Sequence, residues 1–268
     1  MPETIITLYF FFDELLKALD YQDDAQAKVS TAEIMTVAAV ASEFFTGNHQ
    51  KSLDFLASHR YIPAFSKSRF SRRLHAIPES LWQFAFHVLT QVKERTATFL
   101  VDTFPVPVCR NIRIRRCRIY HGEAYRGYTA SKKEYFYGLK VCLIVSASGQ
   151  PVELVFAPGS TADIEMLRSM PLGLPEHCAL VGDKAFLDRG LETDMKDHAG
   201  IHLIVPRRSN MKEQLDDLVQ WVAGSLRKQV ETTFSQLTER LARSIHAVTP
   251  RGFELKVFLT VLTYTILG

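Results

Sequence analysis

The sequence predicts an α/β fold, a mixed sheet flanked by helices and preceded by an all-helical region. Three observations carry this. Up to about residue 95, apolar residues recur at helical spacing and no strand pattern is visible. Near Ala97 the pattern changes to short β-prone runs. One of these runs forms a hairpin pattern, and the later runs alternate with helical segments, which is the order of a mixed sheet covered by helices. The expected division is therefore residues 1 to 95 and residues 96 to 268.

The helical region is read from its periodicity and its caps. Ile5 to Leu19 keeps apolar residues on one helical face. Ser30-Thr31-Ala32-Glu33 has the form of a capping box: the Ser30 hydroxyl can accept from the amide three residues on, and Glu33 can reach back. Further helices are expected from about Gln50 to Ser58, Ser66 to Ala76 and Pro78 to Lys93, punctuated by Pro63 and Pro78. Phe99-Leu100-Val101 then reads as a short strand ending in Asp102. Tyr135 to Ser146 is strand-like, Ser148-Gly149-Gln150-Pro151 is a turn, and Val152 to Phe156 is the returning strand. A helix follows from Ala162 to Met170. Ala179-Leu180-Val181 is a strand leading into Gly182-Asp183, and Ile201 to Val205 is another, stopped by Pro206. Helices from about Ser225 to Ile245 and Arg251 to Leu267 close the chain.

Bulk composition narrows the class. At 268 residues with 47% hydrophobic content the chain can bury a sizeable core, which argues against disorder. A net charge of +3 is too small to identify a partner, so the distribution of charge must decide. Cys109, Cys117, Cys142 and Cys178 form no C-x-x-C pair and read as reduced thiols. Cys109, Cys117 and His121 match no common zinc spacing, and His177-Cys178 leads into an apolar strand. There is no G-x-x-x-x-G-K-[ST] phosphate loop, which argues against ATP dependence. The apolar N-terminal run lacks the leading cation of a signal peptide, and Val257 to Leu267 is shorter than the roughly 20 residues of a membrane span. A cytoplasmic protein without membrane contact is expected.

Two aspartates follow short apolar strands, Asp102 in FLVDTF and Asp183 in LVGDKAF. Open α/β sheets place ligands at such strand ends. Glu231 is the third candidate. It borders the buried stripe Leu226, Val230, Phe234, Leu237 and Leu241 of its helix, so it can point toward the sheet. Arg227, four residues earlier, allows a plain helix-surface salt bridge instead. Three convergent carboxylates suit hard divalent cations, and a pair of such ions assists in-line phosphoryl transfer. Asp163 and Asp188 are spare carboxylates, read as caps of the helix after Thr161 and of a short turn.

VDTFPVPVC, YFYGLK, VGDKAF and RKQVETTFSQL resemble, in that order, the catalytic blocks of bacterial insertion-sequence DDE transposases, and most closely insertion-sequence family 982. The resemblance covers roughly residues 97 to 246. It implies a ribonuclease-H-like core with Asp102, Asp183 and Glu231 as catalytic residues and metal ligands. It also implies two Mg²⁺ or Mn²⁺ ions, cleavage of transposon ends, joining of the 3′-OH to target DNA, and a homodimer on DNA. A related signature of Tyr, Arg, Glu and Lys on the last helix is matched by Arg227 and Glu231. Thr238, however, stands where its Lys is expected, so no helix Lys is carried over.

Double-stranded DNA, as terminal inverted repeats and as target, is the implied partner, and two basic segments suit it. The first holds Arg110, Arg113, Arg115, Arg116, Arg118, Arg126, Lys132, Lys133 and Lys140, interleaved with Tyr120, Tyr125, Tyr128, Tyr135 and Tyr137. Cations neutralise phosphates, and aromatic faces stack on unpaired bases. In the second, Arg69, Arg72 and Arg73 share a helix face in a stretch free of acid. Arg227 is counted with the DNA contacts. The acidic stretch Asp13, Glu14, Asp20, Asp23 and Asp24 should face away from DNA or meet a partner. A nuclease of this fold without strand transfer, and a non-catalytic DNA-binding relative, are the alternatives.

Overall fold

Helix-capping chemistry sets the first part of the chain. The structure is a computed structural model. It describes residues 1–130, 133–207, 211, 214–241 and 245–268, and at 92–94, 229 and 230 the backbone alone. Helix α1 (Pro2–Ala18) buries Ile5, Leu8, Phe12, Leu15 and Leu16, the helical stripe read from the sequence. Helix α2 (Thr31–Phe45) starts at the Ser30–Glu33 capping box, with both reciprocal hydrogen bonds present. It is buried on nearly every side, as a central core helix must be. Helix α3 (His49–Ser58) is capped by Asn48, and α4 (Lys67–Ala76) by Ser66. Helix α5 (Glu79–Leu89) ends earlier than expected and gives way to a 3-10 segment, Thr90–Arg95.

The second part is a six-stranded sheet. Strands β1 (Thr98–Cys109), β2 (Arg126–Thr129), β3 (Glu134–Ser146) and β4 (Pro151–Pro158) are followed by α6 (Asp163–Ser169), β5 (Ala179–Val181), α7 (Arg189–Ala199), β6 (His202–Ile204) and α8 (Asp217–Arg240). β3 runs antiparallel to β1 on one edge and to β2 and β4 on the other. β5 and β6 run parallel to β1 on its far side. Three antiparallel strands followed by two parallel ones, in the order β4-β3-β1-β5-β6, make the expected ribonuclease-H-like mixed sheet.

Strand β1 is much longer than the three apolar residues that announce it. It continues past Asp102 through Pro105 and Pro107 to Cys109. β5 pairs only with Thr98 to Leu100. Beyond that point β1 has β3 on one side and no described strand on the other, and proline is tolerated on such an edge. Asp102 therefore lies inside β1, two residues past the end of its pairing with β5.

The sheet's two faces divide by parity. Phe99 and Val101 join Cys142, Ile144, Met166, Leu167, Leu180 and Phe186 in one core. Leu100, Asp102 and Phe104 face the other way, where Phe104 meets Phe234 of α8 edge to face at 5.7 Å. One turn-face residue of α8, Thr233, is buried and donates to the Gly149 carbonyl at 3.2 Å. Gly149 forms the expected β3–β4 turn at φ +88°, and a Cβ there would lie 2.5 Å from the Thr233 hydroxyl. Glycine satisfies both demands.

Helix α9 (Pro250–Leu267) completes the chain. The sequence reading grouped it with residues 96 to 268. The compact units are instead Met1–Leu89 with Leu237–Gly268, and Thr90–Gln236. α9 packs on α1, α2 and α5: Thr260 shares a hydrogen bond with Ser42 at 3.0 Å, and Phe258 meets Phe86 at 5.8 Å. Its buried Phe253, Val257, Leu259, Val261 and Leu262 explain its apolar composition as helix-bundle core. No described helix is long and apolar enough to cross a membrane.

The Phe104–Phe234 contact fastens α8 to the sheet. Phe234→Ala should cost on the order of 3 kcal/mol in urea unfolding. A loss below about 1 kcal/mol would mean that α8 is held by other contacts.

Candidate active site

The geometry of the site begins with strand register. In the parallel pair β1–β5, Leu100 lies opposite Val181. Two residues further along each chain come Asp102 and Asp183, at the carboxyl end of β5 where the pairing stops. This is where α/β sheets present ligand-binding side chains. The Asp183 carboxylate accepts from the Ala185 amide at 2.7 Å and so starts the 3-10 turn Lys184–Phe186. Asp102 accepts from the Thr103 amide at 2.7 Å.

The electrostatics of Asp102 follow from its surroundings. Burial pushes the Asp102 carboxyl up to about 6 from its ordinary 3.8. The negative charges of Asp183 and Asp163 push it further in the same direction, while the Thr103 amide and the Arg227 guanidinium oppose the rise. Asp102 thus sits in a desolvated corner where the charges of Asp183 and Asp163 are felt.

That third group, Asp163, is not the cap the sequence suggests. The N-cap position of α6 is Ala162, with no side-chain capping bond. Asp163 instead accepts from the Thr103 hydroxyl at 3.0 Å and from Lys140 at 2.9 Å. Lys140 also donates to the Thr161 carbonyl at 2.8 Å, and its side chain is only 15% exposed. Lys140, read as a DNA contact, is therefore an internal ion-pair partner. A signal for this existed: a lysine inside the apolar run YFYGLKVCLIV needs a buried carboxylate. Asp188 does cap, but it caps the whole of α7 through the Leu191 amide, and it also pairs with Arg168.

Glu231 is exposed on α8. Among the described residues no three His, Cys, Asp or Glu side chains come together as a metal-holding group. The α8 side chain whose charge acts on Asp102 is Arg227, one helical turn before Glu231. Arg227 is half-buried, and its charge reaches Asp102.

Residues 92–247, more than half of the chain, match the family model described as Transposase DDE domain. The chain belongs to the transposase DDE domain family. A cryo-EM structure of the piggyBac transposase synaptic complex with hairpin DNA aligns with this chain at TM-score 0.47 and 12% identity. That alignment covers 98% of this chain and 65% of the other, so the chain spans under two thirds of that protein. No curated protein matches it.

The basic residues of this chain divide into free and engaged groups. Arg110, Arg113, Arg115, Arg116 and Arg118 are exposed on and beside a 3-10 segment, Asn111–Arg116. Asn111 ties that segment to the Tyr135 carbonyl at 2.8 Å. Exposed Lys133 sits at φ +53° beside the hairpin, while Lys132 lies outside the described residues. Arg126 pairs with Glu123 at 2.7 Å. Of the tyrosines, Tyr120 and Tyr137 are buried in a cluster with Tyr125, leaving Tyr128 and Tyr135 as an exposed ring pair at 4.9 Å.

In the helical unit Arg69 and Arg72 are exposed on α4, but Arg73 is not available. It pairs with Asp23 at 2.9 Å and donates to the Val29 carbonyl and to Thr31. Asp23 also accepts from the Thr31 amide and hydroxyl, so this part of the acidic stretch joins α4 to α2. Asp13 and Glu14 pair with Lys17 on α1.

The Asp102 environment has a measurable consequence. A carboxyl raised in the folded state is bound to its proton more tightly there, so stability falls as pH rises from about 4 toward 6 and stays reduced above it. In metal-free buffer Asp102→Asn should raise the melting temperature at pH 8, and the gain should vanish by about pH 4. A variant that is no more stable at pH 8 would contradict the desolvated corner.

Proposed function

We propose that this chain is a transposase that cleaves DNA at transposon ends and joins the exposed 3′-OH to target DNA, with Asp102, Asp183 and Glu231 as its acting carboxylates. The observation that supports the reading is that Asp102 and Asp183 each follow the last β1–β5 partner pair by two residues, and the charge of Asp183 reaches Asp102, in a chain of the DDE family. Glu231 enters through helix geometry. It stands on α8 between Arg227, whose charge acts on Asp102, and Phe234, whose ring meets Phe104 two residues along the same strand face. Residues at i, i+4 and i+7 share one face of a helix, so that side of α8 looks toward Asp102.

The donor set consists of carboxylate oxygens alone, which fits Mg²⁺ or Mn²⁺ and not a soft metal. Asp102 and Asp183, joined by Glu231, would hold two such ions. When bound, the ions activate the attacking oxygen and stabilise the leaving one in phosphoryl transfer. Arg227 offers its positive charge to the same corner, where negative charge grows on the phosphoryl group. Asp163, clamped by Lys140 and Thr103, steadies the strand segment that bears Asp102.

DNA near the cut is held by the exposed arginines between Arg110 and Arg118, with Lys133 and the Tyr128–Tyr135 pair beside them. Arg69 and Arg72 on α4 contact the terminal inverted repeat. Arg73 is left out of that surface, because it is spent on Asp23. The sequence blocks support an insertion-sequence enzyme close to family 982, and joining two ends to one target calls for a homodimer on DNA.

A strand-transfer assay with pre-cleaved end DNA tests the reaction. Wild-type protein with Mg²⁺ or Mn²⁺ should give joined product, and excess chelator should abolish it. Asp102→Ala, Asp183→Ala and Glu231→Ala should each lower joining by at least about 10³-fold while DNA binding persists. Cleavage without joining would identify a nuclease, and binding alone a non-catalytic relative. Near wild-type turnover by the Glu231 variant would remove Glu231 from the site.

The basic segment gives an independent check. Charge reversal at Arg113, Arg115 and Arg116 should weaken binding to end DNA and random duplex alike. Each lost phosphate contact should flatten the salt dependence by about one unit of slope. An unchanged slope would place the DNA elsewhere.

A further inference from the structure

The helical unit contains a cavity of about 700 Å³ between α3, α4 and α9. Three features make it electropositive. Lys67, His75, His49 and Lys256 line it, and among the described residues the lining contains no Asp or Glu. Two helices also begin at its wall, α3 after the Asn48 cap and α9 after the Thr249 cap, and a helix start carries the positive end of the dipole. Finally, Lys67, Ser71, Leu74 and His75 form one face of α4, separate from the exposed Arg69 and Arg72.

Arg240, also in the lining, pairs with Glu43 at 2.7 Å and stacks on Tyr264. Lys256 donates to the His246 carbonyl at 2.7 Å, a neutral partner. Burial and the charge of Lys67 lower the Lys256 ammonium. Burial holds His49 down to about 3, and Lys256, Lys67 and His75 add to the effect. A partly buried ammonium such as Lys256, with a second lysine near it and a neutral carbonyl as its partner, is costly to a folded protein. Such an arrangement becomes favourable when an anion enters, as at other helix N-termini that bind phosphate.

We propose that this cavity is a phosphate-binding site, and that its occupant is a phosphate of the DNA the protein handles. Lys67 and Lys256 supply the charge, His75 and His49 supply ring N–H donors, and the starts of α3 and α9 supply the dipoles. A cavity of this size exceeds a lone phosphate and admits the attached nucleotide, whose apolar parts would rest on Leu74, Leu255 and Ile245. Lys67 is itself exposed at the start of α4, so a DNA backbone reaching that end of the helix can deliver a phosphate into the cavity. The choice of DNA as occupant rests on the transposase reading; the anion site does not.

The test uses the full chain and two probes. Inorganic phosphate, titrated at constant ionic strength, should raise the melting temperature by about 3–6 °C at ten times its Kd. That rise should disappear in Lys67→Gln/Lys256→Gln and shrink in Lys67→Gln, whose exposed site tolerates the change. With duplex DNA, the double variant should bind about tenfold more weakly, with a salt slope reduced by one to two units. Equal stabilisation of wild type and variants by phosphate would overturn the site. Loss of the phosphate effect with DNA affinity and slope unchanged would overturn DNA as the occupant and point to a free phosphate-bearing molecule. The phosphate arm needs no DNA, and cleavage by wild-type protein needs no phosphate titration. Failure of the cavity and failure of the transposase reading therefore register separately.

Discussion

Strand β1 is paired along nearly its whole length with β3, but with β5 only over Thr98 to Leu100, and the site follows from that inequality. The short parallel pairing brings the ends of β1 and β5 side by side and then releases them. Asp102 and Asp183 come directly after the release. Had β5 continued, its backbone would have occupied the edge at which these carboxylates meet, and Pro105 and Pro107 could not have been accommodated. Parity does the rest. Val101 and Thr103 face the core and Asp163, and Asp102 faces α8.

The same arrangement carries a cost. Asp102 is desolvated and lies beside another carboxylate, so its charged form is disfavoured in the folded protein. A purely structural position would have resolved this with a neutral residue, as the surrounding core does with Val101 and Leu143. Strained charge of this kind concentrates at functional sites. Lys140 and Thr103 absorb the neighbouring charge of Asp163, which leaves Asp102 and Asp183 as the unresolved pair.

Charge elsewhere is settled differently. The acidic N-terminal stretch looks in sequence like a repulsive surface, yet Asp23 is spent on Arg73 and Thr31, and Asp13 and Glu14 on Lys17. The arginines from Arg110 to Arg118 stay exposed on a short irregular segment with few local acids. The helical unit keeps a third arrangement, cations gathered around a cavity where two helices begin. Net charge does not distinguish these three outcomes, because each depends on which side chains the fold brings within reach.

Much of the architecture was legible in the residues themselves. Capping chemistry at Ser30–Glu33, the 3.6-residue periodicity of α1, the turn at Gly149 and the apolar runs of β3, β4 and β5 are local signals, and local energetics determine them. The positions of Asp102 and Asp183 were legible for the same reason, since each directly follows a short apolar run. What depended on distant contacts was not. Only tertiary structure extended β1 through two prolines, because an edge exists only once β5 has stopped. It moved α9 to the helical unit, because an apolar helix does not name the surface that will cover it. It turned Lys140 inward to Asp163 and Arg73 to Asp23, because ion pairing depends on distance in space. The same limit applies to Glu231: its helix face can be read from spacing, but its distance from Asp102 is set by how α8 lies on the sheet.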